Sequence, residues 1–471
     1  MIPLSLTEIA AITGGEACGE ARGDALVTGP AVIDSRRAGP GGLFVAIKGE
    51  HADGHDFAAA AMAAGAAAVL ATRPVDAPHV LVPDIPAALA ALARAVVDRL
   101  PGLTIAGITG SSGKTSTKDL TAQVVERLGP TVAPEGSFNN ELGHPLTVLR
   151  ADERTRYLVL ELSARGAGHI AALCAIAPPR IGAVLNVGRA HAGEFGSLEG
   201  VAKAKGELPE ALPADGVAIL NAADPRVLAM AERTRARVVT FSAADGRNAA
   251  DGRNAADVRA VGVRLDELAR ASFTLIMPGG SAPVRMRLHG AHHVPNALAA
   301  AAIAAELGMP ADDIAAALSE ANPRSKWRME TTRRADGVLV INDAYNANPE
   351  SVRAAIDALR HLARDGRGFA VLGHMAELGD ISVASHEEAG RLAARAGLAG
   401  VIAVGDEARP ILDGARGEPG WRGEAIAVPD AAAAVAELGD RLRPGDVILV
   451  KASRVAALWE VAAGLLSEVA G

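Results

Sequence analysis

The segment Thr109-Gly110-Ser111-Ser112-Gly113-Lys114-Thr115-Ser116 carries the residue types that cradle a phosphate group. Its glycines let backbone N–H groups turn inward on phosphate oxygens, and a helix starting at its end adds favourable dipole charge. Lys114 is placed to bridge terminal phosphates, and Thr115 or Ser116 to offer a hydroxyl to Mg2+. The spacing is tighter than G-x-x-x-x-G-K-[ST], because position 108 is Ile rather than Gly. Context supports the assignment. An apolar run suited to a buried strand, Thr104–Thr109, precedes the loop, and a helix with Leu120, Val124, Val125 and Leu128 on one face follows it.

Three further residues are candidates for a metal site. Glu161 ends the apolar strand Tyr157–Leu160, His191 follows the strand Ile181–Val187, and Lys205 lies in the helical pattern Val201–Leu208. Strands of an open α/β sheet deliver ligand residues at their carboxyl ends, so Glu161 and His191 are placed to reach a nucleotide. Taken singly, a strand-end Glu, a loop His and a solvated Lys are all ordinary surface residues. Lys203 and Lys205 point to opposite sides of a helix, so at most one faces a site. Later in the chain, Asn342–Glu350 concentrates polar groups between a strand and a helix. Capping accounts for Asn348 before Pro349. It leaves Asp343, Tyr345 and Asn346 for ligand contact.

The elements that must position these residues fall into three α/β units. Residues 1–101 alternate strands (Val27–Asp34, Leu43–Ile47, Ala67–Leu70, His79–Val82) with helices (His55–Ala64, Ile85–Leu100) and end at Pro101-Gly102. Residues 102–321 hold the phosphate loop, further strands at Tyr157–Leu162, Ile181–Val187 and Val217–Leu220, and a helix at Pro295–Leu307. This pattern predicts a P-loop ATPase-type, largely parallel sheet. Residues 322–471 alternate strands and helices from Val338–Ile341 to Val447–Val450, a doubly wound, Rossmann-like pattern without G-x-G-x-x-G. Within the central unit, DGRNAA is repeated in tandem at 245–256, which reads as a duplication enlarging a surface loop.

Bulk properties narrow the function class. At 471 residues the chain exceeds one ordinary core, and with 3% aromatics its packing must come from Ala, Val and Leu. A net charge of -8 argues against a nucleic-acid binder built on phosphate contacts, while leaving room for a local cationic pocket. Cys18 and Cys174 have no metal-like spacing, and a reducing cytoplasm is expected. Cys174 lies in an apolar run and reads as a small buried hydrophobe. Apolar stretches fall short of the ~20 residues a spanning helix needs, so no membrane insertion is expected.

Over essentially its whole length the sequence resembles the Mur ligase family. The first unit carries Asp34-Ser35-Arg36, Leu43-Phe44-Val45-Ala46 and Gly49–His55; the central unit adds Ser137–Gly143, Glu161, Ala190-His191, Ala204–Glu207 and Gly290–Asn296. The resemblance implies that residues 1–101 bind a UDP substrate, with Ser35, Arg36 and His51 as its contacts and Asn139 and Asn140 as further substrate residues. It implies that Glu161, His191 and a carbamylated Lys205 serve Mg2+. It also places His292 and Asn296 at the adenine, Arg328 at the ATP phosphates and Asp343 near the ribose. The third unit would bind the incoming group through Tyr345, Asn346 and Asn348 and close on ATP. Departures from the family pattern are Ser163, His293, His374 and Ala452.

The activity so implied is ATP-dependent joining of D-alanyl-D-alanine to a UDP-muramoyl-tripeptide in peptidoglycan synthesis, with these small molecules as the partners of an enzyme expected to be a monomer. Asn346-Ala347-Asn348-Pro349 and Lys451-Ala452-Ser453-Arg454 favour this acceptor. Two alternatives stay open: the neighbouring ligase that adds a third amino acid to UDP-muramoyl-dipeptide, and a non-catalytic nucleotide-binding relative.

Overall fold

The computed structural model describes residues 1–19, 25–49, 52–188, 195–243, 256–439 and 441–467. His191, His51 and all but the last residue of the DGRNAA repeat lie outside them.

Three main sheets follow one another along the chain. The first orders Glu16–Cys18, His79–Leu81, Ala68–Ala71, Leu43–Val45 and Ala31–Val32. The expected strand Val27–Asp34 is split at Gly29-Pro30. Leu26–Val27 pairs with Leu4–Ser5, whereas Ala31–Val32 joins Leu43–Val45, because proline cannot continue a ladder. His55 is not a surface residue. Buried, it accepts from Thr72 N–H at Nε2 (3.0 Å) and meets Asp53 Oδ1 through Nδ1 at 2.6 Å.

Among the described residues the central sheet has nine strands. Its order is Gly280–His289, Arg270–Met277, Val258–Leu265, Arg237–Ser242, Val217–Asn221, Ile181–Val184, Thr104–Thr109, Tyr157–Glu161, Thr131–Val132. From Thr131–Val132 to Val258–Leu265 every pairing is parallel; the last two pairings are antiparallel. Residues 258–289 form strands that the sequence pattern did not predict. Arg259, Arg264, Arg285 and Arg287 alternate with the buried Val258, Ala260, Val284, Met286 and Leu288, the signature of a sheet wetted on one face. The strand Thr104–Thr109 is buried from Ile105 onward, as a strand covered on both faces must be.

The helix Ile85–Asp98 of the first unit packs on Gly143–Val148 and His169–Ile176, and one continuous apolar core joins this unit to a face of the central sheet. The third unit has separate cores on the two faces of its own sheet, as a doubly wound fold requires. That sheet orders Glu330–Arg333, Leu339–Asn342, Val447–Lys451, Gly368–Leu372, Gly400–Val404 and Glu424–Val428, all parallel except the first edge. Its connection to the centre is polar. Gln123 and Asn322 exchange hydrogen bonds (both 3.0 Å), Arg324 pairs with Glu126, and Ser325 N–H donates to Asp119 Oδ2 at 3.1 Å. Asp119, Gln123 and Glu126 share one face of the helix Lys114–Val125 that starts at the phosphate loop.

Candidate active site

The phosphate loop turns where the strand Thr104–Thr109 meets the helix Lys114–Val125. Gly113 sits at φ +80°, and a Cβ there would come within 2.6 Å of Asn296 Oδ1, so both backbone and space require glycine. Asn186, just past the strand Ile181–Val184, holds the loop open. Ser112 N–H donates to Asn186 Oδ1 (2.9 Å), Asn186 Nδ2 donates to Ser112 O (3.1 Å), and Ser111 N–H donates to Asn186 O (3.1 Å). The buried Ser111 hydroxyl accepts from Gly188 N–H at 2.8 Å. Lys114 Nζ donates to Gly110 O at 2.7 Å, its ammonium drawn onto the loop.

Around Lys114 lie groups of both signs. Burial pushes the Lys114 amine below its ordinary range, Glu161 opposes that shift, and Arg328 adds to it. Glu161 is 1% exposed; Oε1 accepts from Asn139 Nδ2 at 2.7 Å and Oε2 has no protein partner. Lys205 is 3% exposed, and burial, then the charge of Lys114, pushes its amine well below the usual lysine range. Lys203 is exposed, so the helix turns Lys205 alone inward. Among the described residues no three His, Cys, Asp or Glu side chains converge as a metal site.

Arg328 crosses from the third unit, donating through a terminal nitrogen to Thr115 Oγ1 at 3.2 Å. Its neighbours Trp327 and Met329 both have left-handed backbone, φ +58° and +52°. Such strain persists only where the surroundings fix it. Here Tyr345 N–H donates to Trp327 O (3.2 Å), Met329 N–H to Asp343 Oδ1 (3.1 Å), and Trp327 stacks on Trp459 at 4.5 Å. Lys451 Nζ donates to Asp343 Oδ2 at 2.5 Å and to Asn346 O at 2.9 Å.

Two cavities meet at the loop. The smaller, of ≈ 170 Å³, is lined by Gly113, Ser116, Asn186, His292, Asn296 and Asp343, among others. Burial pushes His292 down to about 4, so its ring is neutral. The larger, of ≈ 900 Å³, runs from the loop past Asn139, Asn140 and Glu161 to Tyr345, Asn346, Asn348 and Arg454.

Several expected contacts have another occupation. Asn140 Oδ1 accepts from Gly143 N–H (2.9 Å), and Asn348 Oδ1 from Ser351 N–H (2.8 Å) in a capping box, so both side chains hold helix starts at the cleft wall. In the first unit Arg36 folds back on Asp34 through two bonds, at 2.9 and 2.8 Å, and stays exposed beside Ser35. Ile33 lines the cleft instead, and Arg37 crosses to Glu135 at 2.7 Å. Asn186 escaped attention as a site residue, and Lys451 entered only within the acceptor motif Lys451-Ala452-Ser453-Arg454, not as a partner of Asp343. The sequence signal for Asn186 was a polar residue just past the carboxyl end of an apolar strand, the kind of signal that pointed to Glu161.

A phosphate loop at the junction of three α/β units, with cleft walls from more than one of them, defines the class of nucleotide-dependent ligases that bring separately held reactants together. Comparison with known proteins sharpens this. Models of the Mur ligase catalytic domain, middle domain and glutamate ligase domain match residues 31–105, 108–304 and 327–454. The UDP-N-acetylmuramoyl-tripeptide–D-alanyl-D-alanine ligase of Mycobacterium tuberculosis is 50% identical, covering 99% of this chain and 98% of that one. The ligase of the same name from Escherichia coli is 38% identical over 99% of each. A crystal structure of MurF from Acinetobacter baumannii superimposes with a TM-score of 0.84 at 32% identity, covering 99% of both chains. MurF of Thermotoga maritima in complex with ADP gives 0.78 at 29% identity, covering 94% of this chain and 98% of that one. The chain belongs to the Mur ligase family and is an ATP-dependent ligase. No helix among the described residues is long and apolar enough to cross a membrane.

Proposed function

We propose that this enzyme joins the amine of D-alanyl-D-alanine to the terminal carboxylate of UDP-muramoyl-tripeptide, forming the pentapeptide precursor of peptidoglycan. The observation that carries this reading is the convergence on one phosphate loop of Lys114, Glu161, Lys205 and Arg328 beside a cleft large enough for two further reactants. Likeness over nearly the whole chain to ligases of that printed name supports the choice of substrates.

A carboxylate and an amine do not condense at neutral pH. The tripeptide carboxylate attacks the γ-phosphorus of ATP, ADP leaves, and the acyl phosphate is then attacked by the dipeptide amine with loss of phosphate. Protein groups position the reactants and neutralise developing charge. The backbone of residues 110–116 cradles the phosphates, with Lys114 released from Gly110 O to reach them. His292, Asn296 and Asp343 line the nucleoside pocket, and Arg328 meets the phosphates as the third unit closes.

The unpartnered Oε2 of Glu161 suits a hard cation. Glu161, Thr115, His191 and carbamylated Lys205 would hold Mg2+, which when bound offsets the charge on the phosphates. Burial, then the charge of Lys114, holds the Lys205 amine well below the usual lysine range, which favours the unprotonated form that adds CO2 to become an anionic oxygen ligand. Residues 1–101, with Ser35, Arg36 and His51, hold the UDP end. Residues 102–321 hold ATP, and 322–471 the acceptor. The enzyme works as a monomer, in the cytoplasm where ATP and nucleotide-linked precursors are found.

The test is product mass with ATP and Mg2+. UDP-muramoyl-tripeptide and D-alanyl-D-alanine should give the pentapeptide. Reaction only between UDP-muramoyl-dipeptide and a single amino acid would move the chain to the neighbouring ligase; ATP binding without product would make it a non-catalytic relative.

A further inference from the structure

Arg454 follows the strand Val447–Lys451 and lines the large cleft, not the nucleotide pocket. Other arginines of the same unit are tied down, as Arg391 is to Glu387 and Glu388. Arg454 is exposed and makes no ion pair among the described residues. Its guanidinium lies 5.8 Å from the centre of the Tyr345 ring.

The backbone beneath this free cation is fixed. Ser453, 4% exposed, donates its N–H to His374 O (2.9 Å) and its hydroxyl to Ala347 O (3.3 Å), and accepts from Ala376 N–H (2.9 Å). It thereby pins together the loops after the strands Leu339–Asn342, Gly368–Leu372 and Val447–Lys451. Arg454 opens the short turn Arg454–Ala456, closed by Ala457 N–H on Arg454 O at 3.1 Å. A guanidinium on so rigid a base, with its fork unspent, is built to take a carboxylate in bidentate fashion.

The same Tyr345 ring carries Arg328, 4.4 Å from its centre, and Arg328 touches Thr115 of the phosphate loop. Tyr345 therefore joins the free cation to the end of the site where the carboxyl group is activated. A dipeptide with its carboxylate on Arg454 can extend along Tyr345 toward the phosphate-loop end.

We propose that Arg454 determines acceptor specificity: it binds the carboxylate of the incoming dipeptide. The inference rests on the proposed acceptor chemistry. It is tested by Arg454→Gln and Arg454→Lys with D-alanyl-D-alanine and its C-terminal amide as amines, in the full chain with ATP, Mg2+ and UDP-muramoyl-tripeptide. Wild type should favour the acid over the amide by about tenfold or more in kcat/KM, and Arg454→Gln should lose that preference through a raised KM for the acid. KM for ATP and for the UDP substrate should stay within about twofold, and Arg454→Lys should recover part of the preference. An unchanged acid-over-amide preference in Arg454→Gln overturns the inference, as does a rise in KM confined to ATP or the UDP substrate. A wild-type enzyme inert toward both dipeptide forms fails the acceptor reading itself, and this inference with it.

Discussion

The two flanks of Lys114 are built differently. On the side of Asn186, Ser111 and Ser112, polar groups pair with one another, and the loop keeps its shape without a ligand. On the side of Glu161 and Lys205, a carboxylate oxygen is buried without a partner, and a buried amine has another lysine as its main charged influence. An unsatisfied buried group costs about 1–3 kcal/mol. A fold carries that cost where a ligand offsets it. The paired flank preorganises; the unpaired flank waits for charge.

Changes on each side should separate these roles. The largest effect belongs to the residue both flanks share: Lys114→Ala should lower the rate of amine-dependent ADP release by on the order of 10³-fold. A loss below tenfold would mean that Lys114 does not meet the transferring phosphate. Next is the unpaired flank. Lys205→Ala should lose about 10²-fold in kcat and regain part of it with short carboxylic acids, which supply the missing oxygen ligand. Wild-type turnover without added acid would remove the carbamate from the account. Asn186→Ala, on the paired flank, should act on shape. KM for ATP should rise about tenfold and stability fall by about 2 kcal/mol, read by steady-state kinetics and urea melts. If kcat alone fell, the contrast between the flanks would fail.

The smallest effect lies outside both flanks. His144 is fully buried, and burial pushes its ring down to about 4. The unfolded chain takes up this proton near pH 6.5, the folded chain only near pH 4. The contribution to stability is therefore complete above pH 6.5 and declines as pH falls toward 4. Between pH 7 and 5.5 it should diminish by about 1 kcal/mol, and His144→Val should flatten that part of the profile. Parallel profiles for both proteins would show that His144 is not the group responsible.

The loop and part of each flank were legible in the sequence. Gly113, Lys114 and Thr115 sit between strand and helix as their types and spacing predict, and Glu161 stands at the end of its strand. Asn186 was not, because a lone asparagine after a strand gives no sign of which loop it will hold. The ribbon at 258–289 was missed because arginines interrupt its apolar positions, and its regularity appears only once one face is known to be wet. Asn140 and Asn348 lie at the cleft as expected, yet their side chains close helix starts, a competition that residue type cannot resolve. The left-handed backbone on either side of Arg328 was invisible for a deeper reason. Its strain is offset by Asp343, Tyr345 and Trp459, partners brought in only by the fold.

The central claim is that the tripeptide carboxylate is activated by phosphoryl transfer on this loop. UDP-muramoyl-tripeptide labelled with 18O in both oxygens of its terminal carboxylate tests this directly, with the released phosphate analysed by mass. The account predicts one 18O in each phosphate and one retained in the new amide. Phosphate free of label, formed alongside pentapeptide, would contradict it.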